Sequence, residues 1–183
     1  NKYAIHLLGR TTFFQKYYTE LDSDKDINNL LEQIKSRLHP MDVIRTIVSY
    51  IGESEKKSDL EATTQISAAV AYVIASYNDS KTSELNDEYT VASSMLSDEA
   101  SKDQLQALDD ILILYAEHGF NASTFATRVT GSTRSDLTSS IVSGIGTLKG
   151  ELHGGANERA VELINSFQDV EDAATGVMKM LDE

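Results

Sequence analysis

The sequence predicts an all-α protein, and three observations predict it. One proline and ten glycines stand among 183 residues, few of the two residue types that helix interiors exclude. Apolar residues recur at three- and four-residue spacing through most of the chain. Strand signals are poor, with no long alternating run and no Asn-Gly hairpin. The length suits one domain with a sizeable core. A hydrophobic content of 40% and a charged content of 25% fit a soluble globular protein.

The elements follow in order. Tyr3, Ala4, Leu7 and Leu8 form a short helical stripe that residues 9–12 break. Phe13, Phe14, Tyr17, Tyr18 and Leu21 form a second stripe. It reads as core, because too few basic residues interleave it for a nucleic-acid platform. After a polar turn at 22–26, Ile27, Leu30, Leu31, Ile34 and Leu38 mark an amphipathic helix. In HPMDVIRTIVSYIG, Pro40 suits the first helical position and Asp42 complements the helix dipole. Ile44, Ile47, Val48 and Ile51 give that helix its buried face, Gly52 ends it, and His39 reads as the residue that starts it. Residues 53–61 are charged and read as loop.

Ile66, Ala69, Val70, Val73, Ile74 and Tyr77 mark the next helix, followed by a polar connection at 78–87 and a short helix at 89–96. A cap within 97–101 opens a helix striped by Leu105, Leu108, Leu112 and Tyr115. Ile111 and Leu114 widen that stripe, so the helix is expected to be well buried and to end at His118. Residues 135–149 read as a helix with Ser139, Ser140, Ser143, Gly144 and Thr147 along one side, which permits close helix packing. Ala160, Leu163, Ile164 and Phe167 continue the period, and Val170, Ala173, Ala174, Val177, Met178 and Leu181 repeat it.

Composition also limits function. A formal net charge of −13 repels phosphates, which argues against nucleic acid and anionic membranes as partners. No apolar run approaches a membrane span and no secretory signal is visible. Cysteine is absent, so disulfides and thiolate metal sites are excluded. The expected compartment is the cytoplasm, with an organelle matrix as the alternative. The chain opens without methionine and stops in a helical pattern, so the protein is expected to be longer at both ends.

Two histidines carry the chemistry. His153 precedes Gly154 and Gly155 at the start of a helical pattern. A helix N-terminus disfavours imidazolium, so a neutral ring is expected, able to donate to a carbonyl oxygen as enol character grows. The competing reading is a histidine that caps a helix beside a glycine turn. His118, before Gly119, is placed where a helix stops, a setting that favours a cation and an anionic ligand. It could equally bond a local carbonyl. Asn121, Ser123 and Thr124 are either turn and cap residues or site residues, and Ser123 could orient a histidine ring or cap the next helix. Arg128, Arg134 and Lys149 are candidate anion contacts, weighed against plain solvated charges. No G-x-S-x-G elbow signals a nucleophilic serine. A zinc site of His118, His153 and Glu117 lacks the H-E-x-x-H spacing, and no metal is expected.

Three segments resemble the citrate synthase family, which includes citrate and 2-methylcitrate synthases. They are HPMDVIRT at 39–46, ILYAEHGFNASTFATRV at 113–129 and SDLTSSIVSGIGTLKGELHGGANE at 135–158. The resemblance implies an all-helical fold, of which residues 1–183 are part of the large domain, with the small domain absent. It implies a homodimer that condenses acetyl-CoA or propionyl-CoA with oxaloacetate and then hydrolyses the thioester. Acyl-CoA is a substrate, and no cofactor is implied. By position in the motifs, His153 matches the catalytic histidine that hydrogen-bonds the thioester oxygen. His118 and Asn121 match residues of the oxaloacetate pocket, and Ser123 matches a hydroxyl that orients the catalytic ring.

The departures are specific. Glu151 stands where the family has proline before LHGG. The G-x-G-H-x-V segment, the aspartate that takes the acyl α-proton and the carboxylate-clamping arginines are missing from this sequence. Two other hypotheses therefore stand beside the acyltransferase: a non-catalytic helical interaction module on the same framework, and a metal-dependent helical hydrolase.

Overall fold

The computed structural model describes residues 12–52, 58–78, 91–97, 99–116 and 118–181. Among these residues the protein is all-helical, with ten helices and no strand. The stripe at Tyr3–Leu8, most of the 78–87 connection and Glu117 lie outside the described residues.

Helix α1 spans Thr12–Ser23 and turns Phe14, Tyr17, Tyr18 and Leu21 inward. Tyr18 stacks on Phe14, meets the edge of Tyr72 and donates its hydroxyl to the Ser94 carbonyl at 3.0 Å. The polar turn expected at 22–26 shrinks to Asp24. Its Oδ1 accepts the Asp26 and Ile27 N–H groups and so starts α2, Lys25–Ile34. This helix ends before Leu38, which is exposed instead of continuing the buried face of Ile27 and Leu31.

Helix α3, Pro40–Ile51, begins as its sequence predicts. Pro40 needs no N–H partner, and the His39 Nδ1 accepts the Met41 N–H at 3.2 Å. Val43, Ile44, Ile47, Val48 and Ile51 are buried along one side. Helix α4, Asp59–Ala75, starts inside the stretch read as loop. The Ser58 hydroxyl accepts the Glu61 N–H, and the Glu61 carboxylate accepts the Ser58 N–H. This capping box converts a charged stretch into a helix start. Ala68, Ala69, Ala71 and Val73 are fully buried in α4, which packs against α1 and α3. Each large core side chain contributes about 1.5–3 kcal/mol as an upper bound.

Helix α5 is Val91–Met95, and α6 is Lys102–Leu114, opened by a second capping box between Ser101 and Gln104. Helices α7, Ala122–Ser132, and α8, Leu137–Leu148, form an antiparallel pair. The small residues of α8 face α7: Ser140 and Gly144 are buried, and Ser143 Oγ accepts the Thr130 hydroxyl at 2.9 Å. Half-buried Ile141, Val142 and Ile145 seat α8 on the core beside α3 and α4. Helices α9, Gly155–Asn165, and α10, Val170–Leu181, complete the order.

Two expectations about α6 fail. It is not well buried: Ile111, Leu114 and Tyr115 are exposed, and Asp109 is its buried residue. Nor does it reach His118. Tyr115 is its C-cap, and the Ala116 N–H closes a tighter turn onto Ile113 O.

Candidate active site

His153 sits in the turn that joins α8 to α9. Lys149 caps the end of α8, and the chain then folds back on itself. His153 N–H donates to Gly150 O at 2.9 Å, and Gly154 N–H donates to Leu148 O at 2.9 Å. Gly154 is the N-cap of α9, so the expected place of His153 before a helix N-terminus is observed. Its approach to α8 leaves no room for a side chain, because a Cβ at Gly154 would stand 2.3 Å from Leu148 O.

Asn121 begins α7. Its Oδ1 accepts the Thr124 N–H at 2.6 Å and the Ser123 hydroxyl at 2.8 Å. Asn121 is therefore the cap, and Ser123 lies inside the first turn. Ser123 has a second contact: its Oγ is 3.1 Å from His153 Nε2. The serine hydrogen is committed to Asn121, so the serine oxygen faces the ring as an acceptor and Nε2 carries the proton. Asn121, Ser123 and His153 thus form one chain of hydrogen bonds, in which Ser123 and His153 are 30 residues apart in sequence.

His118 lines the same cleft as His153, an opening of about 690 Å³ that also includes Asn121, Ser123, Thr124, Arg128 and Asn157. The cleft brings together both sequence-predicted histidines. The helix-end argument for His118 does not hold, since α6 stops at Leu114 and leaves the ring beyond the helix terminus. Gly119 follows with φ of 66°, the left-handed turn that its glycine permits.

Arg128 lies two turns along α7 from Asn121 and is the charged side chain on the cleft wall among the described residues. It makes no ion pair among them. Arg134 is in the turn between α7 and α8, with φ of 66°, and Lys149 pairs with Asp42. Both are thus away from the two histidines' cleft lining. Glu151 points to solvent and pairs with Arg159 Nη1 at 3.2 Å. Among the described residues, no three His, Asp or Glu side chains gather as a metal ion would require. A larger groove of about 1030 Å³ runs past Tyr17, Arg45, Tyr50 and Gln65. It contains no histidine, so the smaller cleft is the stronger candidate for carbonyl chemistry.

A family model of the citrate synthase C-terminal domain matches residues 10–183. This chain belongs to the citrate synthase family. The 2-methylcitrate synthase of Shewanella oneidensis is 37% identical over 169 residues, which cover 85% of this chain and 45% of that protein. The citrate synthase of Deinococcus radiodurans is 32% identical over 188 residues, covering 91% and 49% respectively. The chain thus spans about half the length of the curated relatives it matches. The crystal structure of citrate synthase from Thermotoga maritima has the same fold, with a TM-score of 0.64 at 24% identity over 96% of this chain and 55% of that one.

The sequence reading of this family member missed Asn157, which lines the cleft from the first turn of α9. Its signal was its place three residues after Gly154, on the helix face that returns toward His153. Also missed were the contacts of His39 with Glu158 and of Asp42 with Lys149, which span more than a hundred residues of sequence.

Proposed function

We propose that the whole protein is an acyltransferase of the citrate or 2-methylcitrate synthase type. It joins the α-carbon of acetyl-CoA or propionyl-CoA to the keto carbon of oxaloacetate and hydrolyses the thioester. Residues 1–183 are part of its helical large domain, and the small domain lies outside them. The observation that carries this reading is the convergence of His118, Asn121, Ser123 and His153 on one cleft.

His153 is the catalytic residue. A neutral ring has one N–H, and here it rests on Ser123. When acyl-CoA binds, the ring proton shifts to Nδ1 while the Ser123 hydroxyl turns from Asn121 to donate to Nε2, and Nδ1–H then meets the thioester oxygen where negative charge grows as the enol forms. Ser123 steadies the ring. His118 and Asn121 bind oxaloacetate. Asn121 Oδ1 already receives two donors, which leaves Nδ2 as the group for an acceptor oxygen. Arg128 adds a cation for a carboxylate or phosphate. The base that takes the α-proton stands outside residues 1–183.

No cofactor is needed, since acyl-CoA is a substrate. The protein works in the cytoplasm or an organelle matrix, without nucleic acid or membrane, as a homodimer. Exposed Phe125 and Val129 on α7 support a covering partner. A second reading, the non-catalytic interaction module, is favoured by the same apolar exposure, which continues through Leu114, Phe120 and Leu152.

The test uses the full-length protein and its His153→Ala variant, with oxaloacetate and each acyl-CoA, and follows release of free CoA thiol. The reading expects turnover by the parent and a loss of about 10²-fold or more in kcat by the variant. An unchanged kcat removes His153 from the chemistry. Absence of turnover with both acyl-CoA donors supports the module.

A further inference from the structure

The turn that carries His153 is held at both ends by one helix start. At its near end, Lys149 Nζ donates to Asp42 Oδ2 at 2.5 Å. At its far end, in the first turn of α9, Glu158 Oε1 lies 3.1 Å from His39 Nε2. His39 and Asp42 are the N-cap and first-turn acid of α3. The two contacts span 107 and 119 residues of sequence, so neither is a by-product of local helix geometry.

The helix start is itself rigidly placed. Val43, Ile44, Ile47 and Val48 bury α3 in the core directly behind it. His39 Nδ1 accepts the Met41 N–H, which leaves Nε2 as the protonated nitrogen aimed at Glu158. Asp42 is turned by Arg45, whose Nη2 donates to Oδ1 at 3.0 Å, so Oδ2 is free for Lys149. From the α7 side, the bond to Ser123 is the ring contact that holds His153.

We infer that His39 and Asp42 are positioning residues, which grip Glu158 and Lys149 and so set the distance between the His153 ring and Ser123. This inference rests on the reading of His153 as catalytic. It gives HPMD a role at the site although none of its side chains lines the cleft. The gripping side chains are partly exposed, with Lys149 at 39% and Glu158 at 59%. Exposed pairs of this kind add little to global stability. Loss of the clamp therefore shows in the placement of the ring, not in unfolding.

The experiment compares Lys149→Met/Glu158→Ala with the conservative Lys149→Arg/Glu158→Gln in the full-length protein. Arginine keeps the cation, and glutamine keeps an acceptor oxygen for His39. The first variant should lose roughly tenfold in kcat with KM within about twofold and Tm nearly unchanged, because small misplacements at a reacting centre are costly. The second should recover most of the rate. Nitrogen-15 spectra of the His153 ring should report an Nε2–H held by Ser123 in the parent and the conservative variant, and a changed ring signal in the first variant.

Parent-like kcat in the first variant, failure of the conservative variant to recover, or a rate loss matched by a fall in Tm would each overturn the inference. If the parent itself turns over neither acyl-CoA, the functional reading fails, and the ring spectra alone decide the clamp: an unchanged His153 signal refutes it, and a changed signal supports it.

Discussion

Gly154 and Gly155 are adjacent and alike in the sequence, yet the structure predicts opposite responses to alanine. Gly154 has φ of −63°, a value any residue adopts, so its requirement is space and not backbone conformation. A methyl group there would meet Leu148 O at 2.3 Å and Leu148 C at 3.3 Å. The obstacle is backbone and cannot rotate away. The carbonyl must retreat by several tenths of an ångström or more, and it is the same oxygen that accepts the Gly154 N–H at 2.9 Å. At Gly155 the nearest atom to a new methyl is Gly150 O at 3.5 Å, an ordinary contact.

Overpacking of this kind costs about 1–3 kcal/mol, and a weakened hydrogen bond adds about 1 kcal/mol. Gly154→Ala should therefore lower stability by about 2 kcal/mol or more, while Gly155→Ala stays within about 0.5 kcal/mol of the parent. Urea denaturation of both variants measures this directly. The rate should separate them further. His153 directly precedes Gly154, so a shift in the packing of Gly154 on Leu148 is passed to the ring, and a misplacement on the order of 1 Å can cost about 10²-fold in rate. Equal unfolding midpoints, or equal kcat values in the full-length protein, would refute the reasoning that the turn is shaped by this one close approach.

Three other outcomes are expected. Gly119→Ala has free space around the new methyl but a φ of 66°, so it should cost about 1–2 kcal/mol in urea unfolding through backbone strain alone. The Asp136 carboxyl is held below its ordinary 3.8 by the Ser139 N–H and hydroxyl, and that of Asp42 by Lys149 first and then by Arg45, against the opposing effect of burial. Both carboxylates are favoured by folding above pH 3.8, and this contribution disappears as pH falls through their lower folded values. Asp136→Asn keeps a capping oxygen but loses the charge, so its stability should fall below the parent's at neutral pH and converge with it in acid, giving a shallower acid loss. Asn121→Asp keeps the oxygen that caps α7 and receives Ser123, but removes the amide donor and adds an anion to the cleft. It should retain Tm within a few degrees and raise KM for oxaloacetate about tenfold or more. An equal fall in Tm would mean that the amide serves only the helix.

The parts of this fold that were legible in the sequence are those fixed by neighbours. Pro40 and His39 declare the start of α3 because a helix N-terminus is settled within four residues. The start of α4 was hidden for the opposite reason. Glu61 looks like one more solvated charge, and only its reciprocal bond with Ser58 makes it a cap. Periodicity placed α6 but could not say what covers it. A stripe of Leu and Ile has the same spacing whether it meets this chain or a surface outside residues 12–181, and Ile111 and Leu114 face out among the described residues. His118 was assigned to the end of α6 because Gly119 follows it. The left-handed glycine is there, but the helix has already ended at Leu114. At the site, residue types were readable and contacts were not. Ser123 could be seen as a cap or as a partner for a ring, and the choice required the Asn121 oxygen that already caps α7.

That division also bears on how a chain of net charge −13 could receive the anion of the proposed function in this cleft. Overall charge is a sum over the surface, whereas a ligand meets only the groups that line its opening. Arg128 is the charged residue among the described lining, and the remaining polar side chains are two histidines, two asparagines and three hydroxyls. Among the described residues, three acidic residues near the cleft in sequence are engaged elsewhere. Glu151 is held by Arg159 and Glu158 faces His39, while Asp136 caps the far end of α8. Each of these three carboxylates thus serves a helix terminus or an ion pair outside the cleft lining. An acidic surface lowers the encounter rate with a dianion, and salt screens that effect within about 10 Å at 0.1 M. Under the proposed function, capture then depends on local donors, and Arg128, two turns from Asn121, is the cation on the described cleft lining that would offset the long-range repulsion.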